Sequence, residues 1–329
     1  MKILLTGGAG FIGSHAVRRL LQAGHEPVVL DNLTRGHRHA VPSAVVLIDS
    51  DLCGSTATLT EILGQHEIDA VMHFAALAYV GESVREPLNY YANNTAGSLN
   101  LLQAMNDASV NRLVFSSTCA TYGQVEPENL PIDETTQQQP INPYGRSKLF
   151  VEQMVRDHAA SRATFGYAIL RYFNVAGSDP AGEVGEEHHP ETHLIPLAIQ
   201  AALGQRGPLT VYGDDYDTTD GTCIRDYIHV EDLVAAHLRA LDALDNGVSY
   251  TFNLGTGRGV SVKEILDSVA RVTGREVPHS IGPRRAGDPA ALYADADRIE
   301  AELGWRAAYT DLDETVRTAF QWLKDHPPR

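Results

Sequence analysis

The segment Gly7-Gly8-Ala9-Gly10-Phe11-Ile12-Gly13 constrains this chain more than any other, because of what stands on either side of it. The apolar run Ile3-Leu4-Leu5-Thr6 precedes it and reads as a strand. Ile12, Ala16 and Leu20 follow at four-residue spacing, which predicts a helix packing one face on a sheet. Gly24 is a helix stop, and Pro27-Val28-Val29-Leu30 reads as a second strand closed by Asp31 and Asn32. A glycine turn by itself serves structural ends as readily as binding ones. Here the flanking strands and the acid decide. The first glycine permits a sharp turn, the next admits backbone to a pyrophosphate, and the third lets helix and strand pack closely. The amides and positive end of the helix, from Gly7 and Gly10 through Phe11, Ile12 and Gly13, then face the diphosphate. Asp31 can accept hydrogen bonds from the adenosine ribose hydroxyls and would repel a 2′-phosphate. NAD is therefore the expected cofactor.

The alternation continues. Val45-Val46-Leu47-Ile48, Ala70-Val71-Met72-His73-Phe74 and Arg112-Leu113-Val114-Phe115 read as strands, and Tyr90 to Ala108 as a long helix. Strands alternating with helices predict an α/β fold with a Rossmann-type, doubly wound parallel sheet. Ligands of such sheets sit beyond the carboxyl ends of the strands. Asp51, Leu52, Phe74, Ala75, Ala76 and Ser116 fall at those ends and are expected to line the cofactor. Beyond Phe173-Asn174 the alternation loosens, and Gly and Pro become frequent from Gly177 to Pro196. The expected organisation is an NAD-binding domain over 1–175 and a smaller α/β substrate domain over 176–329. The stretch 226–245 is expected to fold back on the first.

Composition narrows the partners. In 329 residues, 42 acidic side chains outnumber 26 basic ones, for a formal charge of −16. That argues against nucleic acid, whose phosphates demand a basic surface. It also requires any anionic ligand to be held by a local cluster of donors. No apolar run reaches the roughly 18 residues of a membrane span. Met1-Lys2 leads directly into the first strand rather than into a cleavable signal. Cys53, Cys119 and Cys223 are too few and too scattered for a disulfide framework. The cytoplasm is the expected setting.

The chemistry is expected from two segments. Ser116-Ser117-Thr118 ends a strand, and Asn142-Pro143-Tyr144-Gly145-Arg146-Ser147-Lys148 opens a helix, with Pro in its first turn. Tyr144 and Lys148 are four apart and share one helix face. A phenol with an ordinary pKa near 10 is a poor base at neutral pH. A lysine ammonium and an oxidised nicotinamide close by would favour the phenolate. Lys148 can also hold the nicotinamide ribose, and Thr118 can bridge a substrate hydroxyl and the phenol. A Tyr-x-x-x-Lys pair is common by chance. Its place after this nucleotide fold and this strand end makes it the expected catalytic set.

Together with these motifs, Val80-Gly81-Glu82-Ser83-Val84, Arg171-Tyr172-Phe173-Asn174, Asp220-Gly221-Thr222 and Arg225-Asp226-Tyr227-Ile228-His229-Val230 form a specific pattern. On these residues the chain resembles the extended short-chain dehydrogenase/reductase family over nearly its whole length. The resemblance implies an enzyme that interconverts UDP-glucose and UDP-galactose through a 4-keto sugar, with bound NAD taking and returning the hydride. A variant of that reading has UDP-N-acetylhexosamines or UDP-xylose and UDP-arabinose as the main substrates. It further implies Tyr144 as acid/base with Thr118 assisting and Lys148 placing the cofactor. Asn93 and Tyr172 would stand near the nicotinamide. Asn174, Leu194, Tyr212, Arg225, Arg285 and Asp288 would surround the UDP-sugar, and a homodimer would form through the helices beginning near Tyr90 and Tyr144. Two positions depart from the family pattern. Ala78 stands where a lysine touches the cofactor ribose in bacterial members, and His193 stands where asparagine is frequent beside the substrate. Leu292 matches the position that faces carbon 2 of the sugar.

Other features of the chain bear on these assignments. Arg225 and Arg284-Arg285 are the donor cluster that the acidic composition requires for a diphosphate. Asp214, Asp215, Asp217 and Asp220 suggest a calcium loop, but counting from Asp215 places Asp220 and Asp226 where that loop needs glycine and glutamate. His188, His189 and His193 with Glu186, Glu187 and Glu191 suggest zinc. Pro190 breaks the helical spacing such a site would use, so a polar loop and no metal are expected. A sugar-nucleotide dehydratase would need an Asp-Glu pair after the threonine, where this chain has Cys119-Ala120. A non-catalytic NAD sensor would have no need of Tyr144.

Overall fold

The alternating segments assemble into one sheet of seven strands, in a computed structural model that describes residues 1–285 and 288–327. In chain order the strands are β1 (Lys2–Thr6), β2 (Glu26–Asp31), β3 (Val46–Asp49), β4 (Ala70–His73), β5 (Arg112–Ser116), β6 (Gly166–Tyr172) and β7 (Ser249–Leu254). Their order across the sheet is β7-β6-β5-β4-β1-β2-β3, and every pairing from β3 through to β6 is parallel. Chain order reverses between β1 and β4. That reversal opens a crevice at the carboxyl ends of these two strands, the place where doubly wound sheets bind ligands.

The helices that matter to the site are α1 (Phe11–Gln22), α2 (Thr56–Gln65), α3 (Gly97–Asp107), α4 (Pro143–Ser161) and α5 (Leu194–Ala202). Period-two burial in the strands sends Leu4, Val28, Leu30, Val71, Leu113, Phe115 and Ile169 to one core. Leu59 and Leu63 of α2, Leu101 and Met105 of α3, and Val151 and Val155 of α4 close it. Each such side chain contributes about 1.5–3 kcal/mol on burial. α1 packs on β1 and β2 through Ala16, Val17 and Leu20; of the stripe read from the sequence Ala16 and Leu20 are buried and Ile12 half-buried, while Val17 joins them.

The expected helix from Tyr90 to Ala108 is a composite. A short helix, Pro87–Tyr90, passes into a π-helical turn, Tyr91–Ala96, and then into α3. Asn94 fixes that turn: its amide accepts from the Leu77 N–H at 2.8 Å and donates to the Leu77 carbonyl at 3.0 Å and to Ser147 Oγ at 3.0 Å.

Two compact units divide the chain. One holds Met1–Gly123, Gln137–Arg171 and Val234–Phe252; the other holds Gln124–Thr136, Tyr172–Leu233 and Asn253 onward. The second unit is built from short pieces. The strand Ile224–Arg225 pairs with Val260–Ser261 and with Ala291–Leu292, Leu209–Tyr212 pairs with His279–Gly282, and Asn174–Ala176 with Tyr227–His229. Its core gathers Ile195 and Ile199 of α5 with Ile265, Val269, Val316 and Trp322.

Candidate active site

The turn after β1 is as tight as its glycines imply. A Cβ placed on Gly13 would lie 2.1 Å from the Gly7 carbonyl oxygen, so only glycine lets α1 start this close to the strand. Gly10 caps α1 without any side-chain hydrogen bond, and the first turn holds no acidic residue. The amides and positive end of the helix therefore face the crevice without an internal anion. Phe11 and Ile12 are half-buried there. Asp31, at the end of β2, accepts from the Ala9 N–H at 3.0 Å and the Leu33 N–H at 2.9 Å. Burial pushes its carboxyl above the usual value, and those two amides only partly offset it. Asn32 Nδ2 donates to Asp51 Oδ2 at 2.9 Å, which joins the ends of β2 and β3. The Cys53 N–H and that amide hold Asp51 below its usual pKa. Leu52 is buried beside it. Phe74, Ala75 and Ala76 follow β4, and the Phe74 and Ala75 amides both donate to the Thr6 carbonyl at 3.0 Å. These glycine-turn and strand-end residues would hold a dinucleotide diphosphate and ribose. Asn93 lies on the π-helical turn, half-buried, donating to Asn94 Oδ1 at 2.9 Å.

Helix α4 begins where the sequence places it. Asn142 is its N-cap, accepting from the Gly145 N–H at 2.8 Å, and Pro143 opens the first turn. Tyr144 and Lys148 are both buried on one face. The intervening Gly145 lets that face approach the end of β5: a Cβ there would stand 2.4 Å from the Ala120 carbonyl oxygen. Thr118 starts the turn that Ala120 belongs to, and its Oγ1 accepts from the Ala120 N–H at 3.1 Å. That leaves the Thr118 O–H to donate. Lys148 Nζ donates to the Ser116 carbonyl at 2.8 Å and lies 4.8 Å over the Phe115 ring. Burial pushes its pKa down to about 7, with Glu152 pulling in the other direction. His73, between Thr6 Oγ1 and Ser98 Oγ at 2.7 Å each, is neutral, because burial and then the Lys148 charge push it down to about 3.

The reading of the sequence omitted Glu152. It continues the four-residue stripe Tyr144, Lys148, Glu152 and is fully buried. It accepts from Ser117 Oγ at 2.6 Å, from Arg171 Nε and Nη2 at 3.0 and 2.7 Å, from Arg156 at 2.8 Å and from Gln138 at 3.1 Å. Burial alone would raise its pKa; the Arg171 guanidinium more than offsets that and keeps it ionised. Glu152 thereby ties α4 to the strand end that carries Thr118. Extending the stripe by one turn would have found it.

The second unit carries the residues expected around a UDP-sugar. Arg225 pairs with Asp288 Oδ1 and donates to the Pro289 carbonyl at 2.9 Å. Leu292 is buried and sits beside Arg225 in strand register. Arg285 stacks over the exposed Tyr212 ring, its guanidinium carbon 4.0 Å from the centroid. Arg284 does the same over Tyr216 at 4.4 Å and also bonds Asp215 at 2.6 Å. Ala286 and Gly287, between Arg285 and Asp288, lie outside the described residues. Tyr172 ends β6 and is half-buried, and the Asn174 N–H donates to the Asp226 carbonyl at 2.9 Å. Arg225, Asp288 and Leu292 thus form one group, and Tyr212 with Arg285 another.

His193 caps α5 and Leu194 is its first residue. His193 Nδ1 lies 2.7 Å from Glu186 Oε1 and 2.9 Å from Glu191 Oε1. Burial opposes a charge on this imidazole; the two carboxylates overcome that and hold it up at about 10. The expectation of a polar loop without metal rests on Pro190 breaking a helix. The loop instead gathers Glu186, His188, Glu191 and His193 with no helix needed.

Known proteins resemble this chain over nearly its whole length. The UDP-glucose 4-epimerase of Lacticaseibacillus casei is 49% identical over 330 residues, covering 99% of this chain and 98% of its own. The crystal structure of UDP-glucose 4-epimerase from Brucella ovis in complex with NAD superposes with a TM-score of 0.92, at 50% identity and 97% coverage of each chain. That of UDP-glucose-4-epimerase from Stenotrophomonas maltophila, with bound NAD and formylated UDP-arabinopyranose, gives a TM-score of 0.95 at 42% identity, covering 99% of this chain and 98% of that one. The pattern of the NAD dependent epimerase/dehydratase family matches residues 3–255, and with likeness of this extent across both units the chain belongs to that family.

Proposed function

We propose that this protein is a UDP-sugar 4-epimerase that interconverts UDP-glucose and UDP-galactose. The observation that carries the proposal is α4, which buries Tyr144 and Lys148 on one face and is seated through Gly145 on the turn that begins with Thr118. NAD, when bound, supplies the hydride acceptor and then the hydride donor at carbon 4 of the sugar. The uncapped start of α1 and the Gly13 cradle fit its diphosphate, and Asp31 and Asn32 its adenosine ribose. Tyr144 takes the proton of the carbon-4 hydroxyl and later returns one to the 4-keto sugar. The Lys148 ammonium, one helical turn away, favours the phenolate, and the Thr118 hydroxyl bridges substrate and phenol. Ser116 fixes Lys148 through its carbonyl, and Tyr172 and Asn93 would flank the nicotinamide. Arg225, Arg285, Tyr212, Asn174, His193, Leu194 and Asp288 would keep hold of the UDP while the keto sugar presents its other face.

The same reading includes a homodimer and a cytoplasmic setting. Val84, Leu88 and Phe150 are exposed apolar side chains near Tyr90 and on α4, the surface that a second copy would cover. Among the described residues no helix is long and apolar enough to cross a membrane, and Cys53, Cys119 and Cys223 form no disulfide.

The test is turnover without added nucleotide. Protein purified in plain buffer should carry NAD or NADH and convert UDP-galactose to UDP-glucose unaided. An absolute need for stoichiometric NAD, with net release of NADH, would overturn the reading. A panel with UDP-N-acetylglucosamine and UDP-xylose settles which sugar is preferred.

A further inference from the structure

We propose that Glu186, His188, Glu191 and His193 bind a single zinc ion that staples the loop between the strand Asn174–Ala176 and α5. Their four ligand atoms lie within 4.8 Å of one another. His193 Nδ1 is 2.7 Å from Glu186 Oε1 and 2.9 Å from Glu191 Oε1. His188 Nδ1 is 3.1 Å from the same Glu186 oxygen and 3.7 Å from Glu191 Oε2. Zinc bonds imidazole nitrogen and carboxylate oxygen at about 2.0–2.2 Å, and a tetrahedron of that size sets its corners about 3.3 Å apart. The separations around Glu186 Oε1, 2.7 and 3.1 Å, lie a little under that value, and Glu191 stands within reach of both imidazoles through its two oxygens.

The four donors converge on one point whether protons or an ion hold them together. An imidazole Nδ1 carries at most one hydrogen, yet His193 Nδ1 has oxygens of two different carboxylates within 2.9 Å. Glu186 Oε1, for its part, faces two imidazole nitrogens. With both imidazoles protonated, their N–H groups can serve these oxygens; a divalent ion would take the place of those two protons. A cation among the four donors serves all of them, and two carboxylates match the charge of one divalent ion. Both carboxylates are withdrawn from water, with side chains 5% and 9% exposed, and their charge is met on the spot by the imidazoles when protonated or by the ion when it displaces those protons.

The surroundings orient the ligands. Glu191 Oε1 also accepts from the Thr192 and His193 amides at 2.7 and 2.8 Å. Trp322 Nε1 donates to the Glu186 carbonyl at 3.1 Å, and a Cβ on the neighbouring Gly185 would stand 2.3 Å from the indole. Outer contacts of this kind fix the direction in which ligands point. Two nitrogens and two oxygens suit zinc, and four protein ligands close the tetrahedron. The ion therefore has no open position for substrate and holds in place the loop that carries His193 and Leu194.

The experiment loads the purified full-length protein with zinc chloride, desalts it and measures metal per chain by mass spectrometry. One zinc per chain is expected, lost in Glu191→Gln and in His188→Gln. The NAD content of the same samples reports the fold of the first unit, and near- and far-ultraviolet circular dichroism against the wild type reports the fold of the rest. Absence of retained zinc in the wild type overturns the proposal, as does full retention in both variants. Should the variants misfold, cobalt(II) in the wild type decides. Intense visible bands mark the four-coordinate site, and the feeble bands of six-coordinate cobalt overturn it.

Discussion

Lys148 and Arg225 are both cations taken out of water, and the chain treats them in opposite ways. Arg225 has its countercharge beside it: Asp288 pairs with the guanidinium, and the Ile224 and Pro289 carbonyls take further bonds. Among the described residues Lys148 hydrogen-bonds a neutral carbonyl, that of Ser116, while the carboxylate of Glu152 one turn on is engaged by Arg171, Arg156 and Ser117. The paired arginine is a fixed charge, fit for gripping a diphosphate. The lysine is held near its titration point, at about 7, and so responds to whatever charge arrives beside it. One region holds and the other reacts. That division follows from where the carboxylates stand, since Lys148 is buried and Arg225 largely so.

The sharpest way to break this comparison is at the proton carrier next to Lys148. Tyr144→Phe keeps the buried ring and removes its hydroxyl. A positioned acid/base is worth roughly 10²–10⁴-fold, and at least that loss in kcat is expected with NAD still bound. Near-normal turnover would mean that Lys148 serves some other group.

Gly145→Ala probes the seat rather than the chemistry. Alanine favours the helix by about 1 kcal/mol. Its methyl, however, would stand 2.4 Å from the Ala120 carbonyl, so α4 or the Thr118 turn must shift. Misplacement on the scale of 1 Å costs up to about 10²-fold, and a fall in kcat of roughly 10–100-fold is expected with KM little changed. An unchanged kcat would show that Tyr144 and Thr118 need no fixed seat.

What the sequence disclosed and what it hid divide along the same line. The first unit was legible because its motifs are local. A strand, a glycine turn and a helix are neighbours in the chain, and Tyr144 and Lys148 meet through one helical turn. The second unit is assembled by pairing across distance: Arg225 meets Leu292 and Asp288 only through three two-residue strands. No spacing in the chain announces that, so there the resemblance carried the assignment. The loop from Glu186 to His193 shows the cost of reasoning from spacing alone. Pro190 does exclude a helix, yet a loop brought four donors together regardless. The π-helical turn at Tyr91–Ala96 was missed for a related reason, because it keeps a nearly helical apolar pattern while adding a residue to the turn.

Leu292 sharpens the gripping side of the comparison. By resemblance it faces carbon 2 of the sugar, and it lies buried beside Arg225. An N-acetyl group in place of a hydroxyl must be packed against it. Overpacking costs about 1–3 kcal/mol, which is roughly 5- to 150-fold at 1.4 kcal/mol per decade. UDP-N-acetylglucosamine should therefore turn over with kcat/KM lower than UDP-glucose by about that factor. Leu292→Tyr should abolish the N-acetyl activity and spare the plain hexose. Absence of N-acetyl turnover in both the wild type and Leu292→Ala places the gate elsewhere.

The smallest effect is thermodynamic and tests the two cations side by side. Lys148 has a folded pKa of about 7, below the ordinary lysine value of 10.5. Between those values the unfolded chain binds the extra proton, so the lysine's contribution makes stability rise with pH, by at most about 1.4 kcal/mol per unit. Below pH 7 both states are protonated and the contribution is flat. From pH 6.5 to 8.5 the wild type should gain about 2 kcal/mol over Lys148→Met, in urea unfolding of samples matched for bound nucleotide. Arg225→Met, whatever its cost, should run parallel to the wild type across that window, because a guanidinium does not titrate there. Parallel curves for Lys148→Met as well would show that the lysine is as fixed a charge as the arginine, and the contrast between the two regions would go with them.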